Sequence, residues 1–397
     1  MNERTRNYLR GRFGDHYRRS ELPVPPALAD REWGYIPWTA GPETTMVRHQ
    51  ALATPRDLEI MLDNERPRHV YHSAATYAEP GAGVMGAKGW RGADLVFDLD
   101  ADHLPGIDPE TEPYARMLEA CKEELQSLLD FLCADFGFEE PMIVFSGGRG
   151  YHVHVRREDV RKLERDARRD VVDYIKGHGV DLDTVLSREY VAGSGRTTPA
   201  DKRTLDTTGG WSRRVHQTLM AFIEELNEGG PDAAEQRLLE IEGIGSQRAA
   251  RLSELATTHY DELAAGNIDV HPAMMTLLDV VIDQAVEHHQ AAIDEPVTTD
   301  VHRLIRLPGS LHGGTGLVVT PVRIDELAGF DPLVDAIPSS FTDQRITVEI
   351  TESGPVEVGE TPRMVEAGVT TVPEYVGIFL MCRGRAEKTR EPAASRG

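Results

Sequence analysis

The chain has only three cysteines in 397 residues, Cys121, Cys133 and Cys382. Three thiols exclude a disulfide framework and a four-thiolate zinc site. An iron–sulfur cluster, which normally takes four cysteines, is excluded as well. Lysine is scarce, at six residues, so the basic complement is mostly arginine. No apolar run approaches the roughly 18–20 residues that span a bilayer. The N-terminal "MNERTRNYLRGRFGDHYRRS" has no apolar signal-peptide core. These absences predict a cytoplasmic protein with no membrane partner. Acidic charge is what the chain has in excess: 66 Asp and Glu against 43 Lys and Arg, a net −23. Such a surface should repel nucleic acid at low salt. It suits a protein kept soluble in concentrated salt, where repulsion is screened within a few ångströms. A nucleic-acid enzyme of this composition would work through local basic patches.

Periodicity predicts helices near 54–65 and 113–136, strands at 69–78 and 93–100, and strand, Gly-rich turn, strand across "PMIVFSGGRGYHVHV". "REDVRKLERDARRDVVDYIKGHG" reads as an amphipathic helix with a basic, salt-laced face. Helical patterns at 211–227, 232–240, 246–265 and 271–291 follow, then strand-like runs at 316–324 and 345–350 and an apolar run at 376–382. Strands with interspersed helices, then a helical block, then strands predict an α+β mixed-sheet core with a small helical insertion. The expected divisions are a core over 1–200, an insertion over 201–270, the rest of the core over 271–385, and a disordered tail over 386–397.

Three stretches carry chemistry. In "GADLVFDLDADH" an apolar run ends in Asp98 and Asp100, which point to one face of a strand. Two like charges so close repel unless water or a cation separates them. In "SGGRGYHVHV" the glycines let backbone N–H groups approach an anion, and Arg149 can grip phosphate oxygens bidentately. Ser146, His152 and His154 share a parity along the chain. In "DEPVTTDVHRLIRLPGSLHGGTGL" Arg303 and Arg306 flank an apolar pair, Ser310 alternates with His312, and Asp294 and Asp300 stand nearby. Carboxylates hold hard divalent cations, and Arg, His and backbone amides neutralise a triphosphate. The inventory is that of a two-metal phosphoryl-transfer site. A further stretch, "EIEGIGSQRAARLSEL", fits two readings: a helix-hairpin-helix turn aimed at a DNA phosphate, or a Gly-capped connection between packed helices.

With "KGWRGADLVFDLDADH", "SGGRGYHVHV" and "RLIRLPGSLHGGTGL" in that order, the chain resembles the small catalytic subunit of archaeal/eukaryotic-type DNA primase, from about Arg31-Glu32 to "FLMCRGRAEK". The resemblance implies a primase-type core and primer synthesis on single-stranded DNA template from NTPs or dNTPs. It implies Asp98 and Asp100 as ligands of Mg²⁺ or Mn²⁺, with Asp294 rather than Asp300 as the third carboxylate, because Asp294 stands three residues before Val297. Ser146, Arg149 and His152, with Arg303, Arg306 and His312, would bind the incoming nucleotide. A heterodimer with a large, iron–sulfur-bearing subunit is also implied. Two departures stand out. Gly314 occupies a place where the family commonly has lysine. The family's zinc knuckle after the D-x-D is represented here only by His103, Cys121 and the more distant Cys133, so no structural zinc is expected. The rival expectations are a repair-type primase-polymerase and a non-catalytic nucleic-acid-binding subunit.

Overall fold

Leu95–Asp100 places Leu95, Val96, Phe97 and Leu99 in the interior and leaves Asp98 and Asp100 partly exposed. This is the signature of a strand with one face on a core and one on a cleft. The computed structural model describes residues 1–39, 45–191, 200–342 and 344–389, apart from the side chains of 189–191 and 200–201. The fold is α+β. The chain forms two compact units: one comprises 1–125, 140–169 and 292–397, and the other comprises 126–139 and 170–291.

Two four-stranded antiparallel sheets organise the first unit. One runs Thr320–Val322, Met142–Phe145, Gly150–Val155, Leu95–Asp100 in space. The other runs Leu304–Arg306, His69–Ser73, Trp33–Ile36, Val47–Gln50. In the first sheet Asp98 faces His152 and Asp100 faces Gly150 across the ladder. That register depends on Gly150. A Cβ there would lie 1.7 Å from the Leu99 carbonyl oxygen, closer than any side chain tolerates. Gly150→Ala is therefore expected to push the D-x-D strand away from its neighbour. It should cost about 1–3 kcal/mol, read as a lower denaturation midpoint, and should lower nucleotide incorporation with it.

The outer edge of the D-x-D strand is occupied by the segment after 291. Asp294 donates its backbone N–H to the Asp98 carbonyl at 2.9 Å. Asp294 then begins the short helix Glu295–Thr299. Val297 packs with Ala74, Val96 and Ile305 in one buried cluster. The Asp-x-x-Val spacing thus has a mechanical basis: the valine seats the helix, and the aspartate is left beside Asp98.

Several expectations change. The basic stretch after Val155 is two helices, Glu158–Arg161 and Arg165–Ile175. Its arginines are not all on a solvated face. Arg168 is 1% exposed and donates to the carbonyls of Ala93 (2.7 Å), Asp94 (3.1 Å) and Leu163 (2.9 Å). Satisfied donors are what allow a guanidinium inside. The apolar run at 376–382 lies in the helix Glu374–Cys382, buried from Val376 to Cys382, which explains its lack of amphipathic period. The expected disordered tail begins too early: Ala386–Lys388 is a strand paired with Arg345–Ile350. It is held because Lys388 Nζ donates to the Thr347 carbonyl at 3.1 Å and Ala386 is buried. Residues 390–397 lie outside the described residues.

In the second unit, Gly210–Leu239 is kinked at Gly230 before Pro231, and Ser246–Thr258 and Ala273–His289 follow. The turn between the first two buries Ile241 and Ile244. Among the described residues no helix is long and apolar enough to cross a membrane.

Candidate active site

The cleft forms where the D-x-D strand, the Asp294 segment and the Leu304–Arg306 strand meet. It has a volume of about 460 Å³, within the range of small-molecule sites. Asp98, Asp100, His152, Asp294, Arg303 and Arg306 all line it, and so does Asp300. Burial first, then the charges of Asp100 and Asp294, push the Asp98 carboxyl up to about 6, while Arg306 and Arg303 oppose the shift. Crowded carboxylates of this kind are the donor set of a hard divalent cation, which would relieve their repulsion. As the side chains stand, no three His, Cys, Asp or Glu among the described residues converge closely enough to hold one ion.

Asp294 and Asp300 are engaged differently. Asp294 makes no capping bond to its own helix, and its charge acts on Asp98. The Asp300 carboxylate accepts the His302 backbone N–H at 2.9 Å.

His152 Nε2 lies 3.4 Å from Asp98 Oδ1. Burial, with Arg306 and Arg303 nearby, pushes this imidazole down to about 3. The contact is therefore that of a neutral ring with a carboxyl and not an ion pair. Arg306 sits opposite Tyr71 on the neighbouring strand, with its guanidinium carbon 5.9 Å from the ring centroid.

Ser146, Arg149 and His312 lie on the loops beside the cleft and are not part of its lining. The Gly-rich turn closes with Ser146 N–H donating to the Gly150 carbonyl at 2.9 Å and Gly148 N–H donating to Ser146 Oγ at 3.2 Å. Gly147 has φ of 74°, and a Cβ there would meet His312 Cβ at 2.7 Å, so the turn and the His312 loop are in close contact. Thr315 Oγ donates to the Gly147 carbonyl at 2.6 Å. Burial and the Arg306 charge hold His312 well below the usual histidine range. Arg149 is paired with Asp102, so a phosphate would compete with that carboxylate.

The Gly314 departure has a structural counterpart. A Cβ at 314 would stand 2.9 Å from His312 Cε1, so a side chain there would displace the imidazole. Arg68 stands alongside, donating to the Gly313 carbonyl at 3.2 Å. Of the soft ligands considered for zinc, His103 lines the cleft, Cys121 is buried with Sγ donating to the Arg149 carbonyl, and Cys133 is exposed.

Four further polar lining residues were not singled out as site residues from sequence: Arg48, Tyr71, His103 and His302. Arg48 is oriented by Glu32, which is fully buried and also pairs with buried Lys88 at 3.2 Å. Nothing in "MVRHQ" marks this arginine; only the sheet brings it to the cleft. His302 Nδ1 meets the Tyr77 hydroxyl at 3.1 Å.

Comparison with known proteins places the chain in a family. Residues 97–324 match the DNA primase small subunit family. The chain is 55% identical over 392 residues to the DNA primase small subunit PriS of Haloarcula marismortui, covering 98% of this chain and all of the relative. Identity to PriS of Natronomonas pharaonis is 54% over 396 residues, with the same coverage. Identity to PriS of Methanococcoides burtonii is 39% over 394 residues, with 98% and 99% covered. The matched span contains Asp98 and Asp100, the Gly-rich turn and the Arg303–His312 stretch, and on these grounds the chain belongs to the DNA primase small subunit family.

Proposed function

We propose that the Asp98 cleft is where this chain carries out template-directed nucleotidyl transfer, and that its residues divide the work as follows. The chain is the catalytic, DNA-directed nucleotidyltransferase subunit of a replicative primase. Asp98, Asp100 and Asp294 hold Mg²⁺ or Mn²⁺ through carboxylate oxygens. When bound, these ions supply Lewis acidity toward the 3′-hydroxyl and neutralise the leaving pyrophosphate. Arg303 and Arg306 bind the triphosphate of the incoming NTP or dNTP. Ser146 and the Gly-rich turn offer backbone and hydroxyl groups to its oxygens, and Arg149 joins them on release from Asp102. His152 and His312 act as neutral hydrogen-bond partners, because burial keeps both uncharged at neutral pH. Arg68 supplies the cation that Gly314 cannot. The single observation that carries this reading is the convergence of Asp98, Asp100 and Asp294 with Arg303 and Arg306 in one cleft.

The partner is a primase large subunit, which the family's designation as the small subunit implies. The acidic surface suits work in concentrated salt, as in the halophilic relatives. The test is nucleotide incorporation on single-stranded DNA by the purified chain in concentrated KCl, with Mg²⁺ or Mn²⁺, with and without the large subunit. Incorporation dependent on template and metal is expected; template binding without synthesis would refute the reading. In the same assay Arg68→Gln is expected to raise KM for nucleotide roughly tenfold with little change in kcat, the loss of one charge-assisted phosphate contact.

A further inference from the structure

The segment from His302 to Arg306 lines the cleft throughout, and its two ends have different neighbours. Arg306 pairs with Tyr71 on the next strand. The Tyr71 ring packs on His69, and His69 on His312, whose loop touches the Gly-rich turn. At the other end Leu304 pairs with Ser73, and Ala74 donates its N–H to the Arg303 carbonyl at 2.8 Å. His302 therefore stands at the end of the cleft away from the Gly-rich turn, and it takes no part in the division of work proposed above.

His302 is half-buried and held in place. Its Nδ1 lies 3.1 Å from the Tyr77 hydroxyl, and the two rings are 13° from parallel with centroids 6.0 Å apart. Tyr77 is 0% exposed and packs with Ala75, Ala93, Trp90 and Val301. Its hydroxyl has no other partner among the described residues, so it donates to Nδ1; the reverse arrangement would leave a buried O–H without an acceptor. That contact fixes the tautomer, with the ring's own proton on Nε2. Nε2–H has no partner among the described residues and is the ring's remaining donor in the cleft.

Arg48 is built into the same support. Glu32 accepts from Arg48 Nε and from the His49 backbone N–H, both at 3.1 Å. His49 has φ of 61°, in the left-handed region, beside a bulge in the ladder at Trp33–Tyr35. Such features re-aim a side chain next to a site. Lys88 lies 3.2 Å from the Glu32 carboxylate, with Nζ 5.3 Å from the Tyr77 ring centroid. One buried glutamate thus supports Arg48 directly and His302 through Lys88 and Tyr77. Arg48 and His302 Nε2–H offer only donors, which select an anion. With the triphosphate at the Arg306 end, a reading on which this assignment rests, the remaining anion belongs to the second reactant. We infer that His302 Nε2–H, with Arg48 as the accompanying cation, binds the 5′-phosphate of the nucleotide whose 3′-hydroxyl attacks. Tyr77 is the positioning residue.

The test is extension of a preformed DNA primer on single-stranded template by the full chain in concentrated KCl with Mn²⁺. One primer is natural; the other carries an uncharged methylphosphonate at its last internucleotide linkage. His302→Ala is expected to raise KM for the natural primer about tenfold, with KM for nucleotide unchanged. On the methylphosphonate primer it should change little further, because the contact is already lost. Tyr77→Phe should raise the same KM roughly threefold, and His302→Gln, which keeps a donor, should recover part of the loss. Long-range ¹H–¹⁵N spectra should show the His302 proton on Nε2 in the wild type and a mixture of tautomers in Tyr77→Phe. An equal His302→Ala effect on both primers, a raised KM for nucleotide, or the Nδ1–H tautomer in the wild type would each overturn the assignment. A wild-type chain that extends neither primer would overturn the reading of the cleft with it.

Discussion

Replacing Asp98 with asparagine is expected to abolish primer synthesis while making the metal-free chain more stable. The two effects share one cause. Asp98 is half-buried and largely desolvated beside Asp100 and Asp294, and its carboxyl is pushed up to about 6 from an ordinary 3.8. A raised folded-state value means that this carboxylate favours folding only while protonated. Its cost appears as the pH rises from the unfolded value through about 6 and is fully present at neutral pH. At 1.36 kcal/mol per pKa unit that cost is on the order of 2–3 kcal/mol. Asparagine removes the charge and the cost, so chemical denaturation in EDTA at pH 7.5 should show a higher midpoint. It also removes a ligand to the divalent ions, whose stabilisation of developing charge is worth several kcal/mol. Incorporation should fall on the order of a thousandfold or more. Asp294→Asn should behave likewise, because its carboxylate is uncommitted and acts on Asp98. Asp300→Asn should retain synthesis, since its carboxylate is tied to the His302 backbone. A dead Asp300→Asn beside an active Asp294→Asn would reverse the assignment of the third carboxylate.

The second large effect is on stability. Asp94 and Arg31 are both 1% exposed and pair at 2.8 Å. Arg156 and Arg161 approach the same carboxylate at 3.2 and 3.3 Å. Arg31 also donates to the carbonyls of Ser73, Ala74 and Pro26. One aspartate therefore compensates several guanidinium groups at the base of the D-x-D strand. Asp94→Asn keeps the shape and leaves those cations without a counter-charge. Breaking a buried pair in this way costs about 3–5 kcal/mol. The expected result is a large drop in the denaturation midpoint that added KCl does not restore, because a buried pair is poorly screened. Recovery at high salt would mean that the network is solvated.

The parts of this protein legible in the sequence were those with a short-range signature. Asp98 and Asp100 announced themselves by alternation at the end of an apolar run, and the Gly-rich turn by its composition. The α+β class followed from the order of the patterns. Parts that depend on tertiary contact were hidden. Arg48 and His302 carry no local mark: Arg48 reaches the cleft through sheet pairing, and His302 from the turn that precedes the Leu304–Arg306 strand. Arg168 looked like one more residue on a basic surface, yet main-chain carbonyls from distant segments draw it inside. The Glu374–Cys382 helix had no amphipathic period because every side of it is covered. The strand Ala386–Lys388 was masked by a polar composition whose buried lysine is satisfied by a carbonyl of the neighbouring strand.

Crystals of the chain grown with Mn²⁺ and a non-hydrolysable nucleoside triphosphate, examined for the anomalous signal of manganese, test the central claim most directly. Manganese peaks bounded by the carboxylates of Asp98, Asp100 and Asp294 are expected, with the triphosphate running from them to Arg303, Arg306 and the Gly-rich turn. Manganese bound elsewhere, or a triphosphate seated away from those arginines, would contradict it.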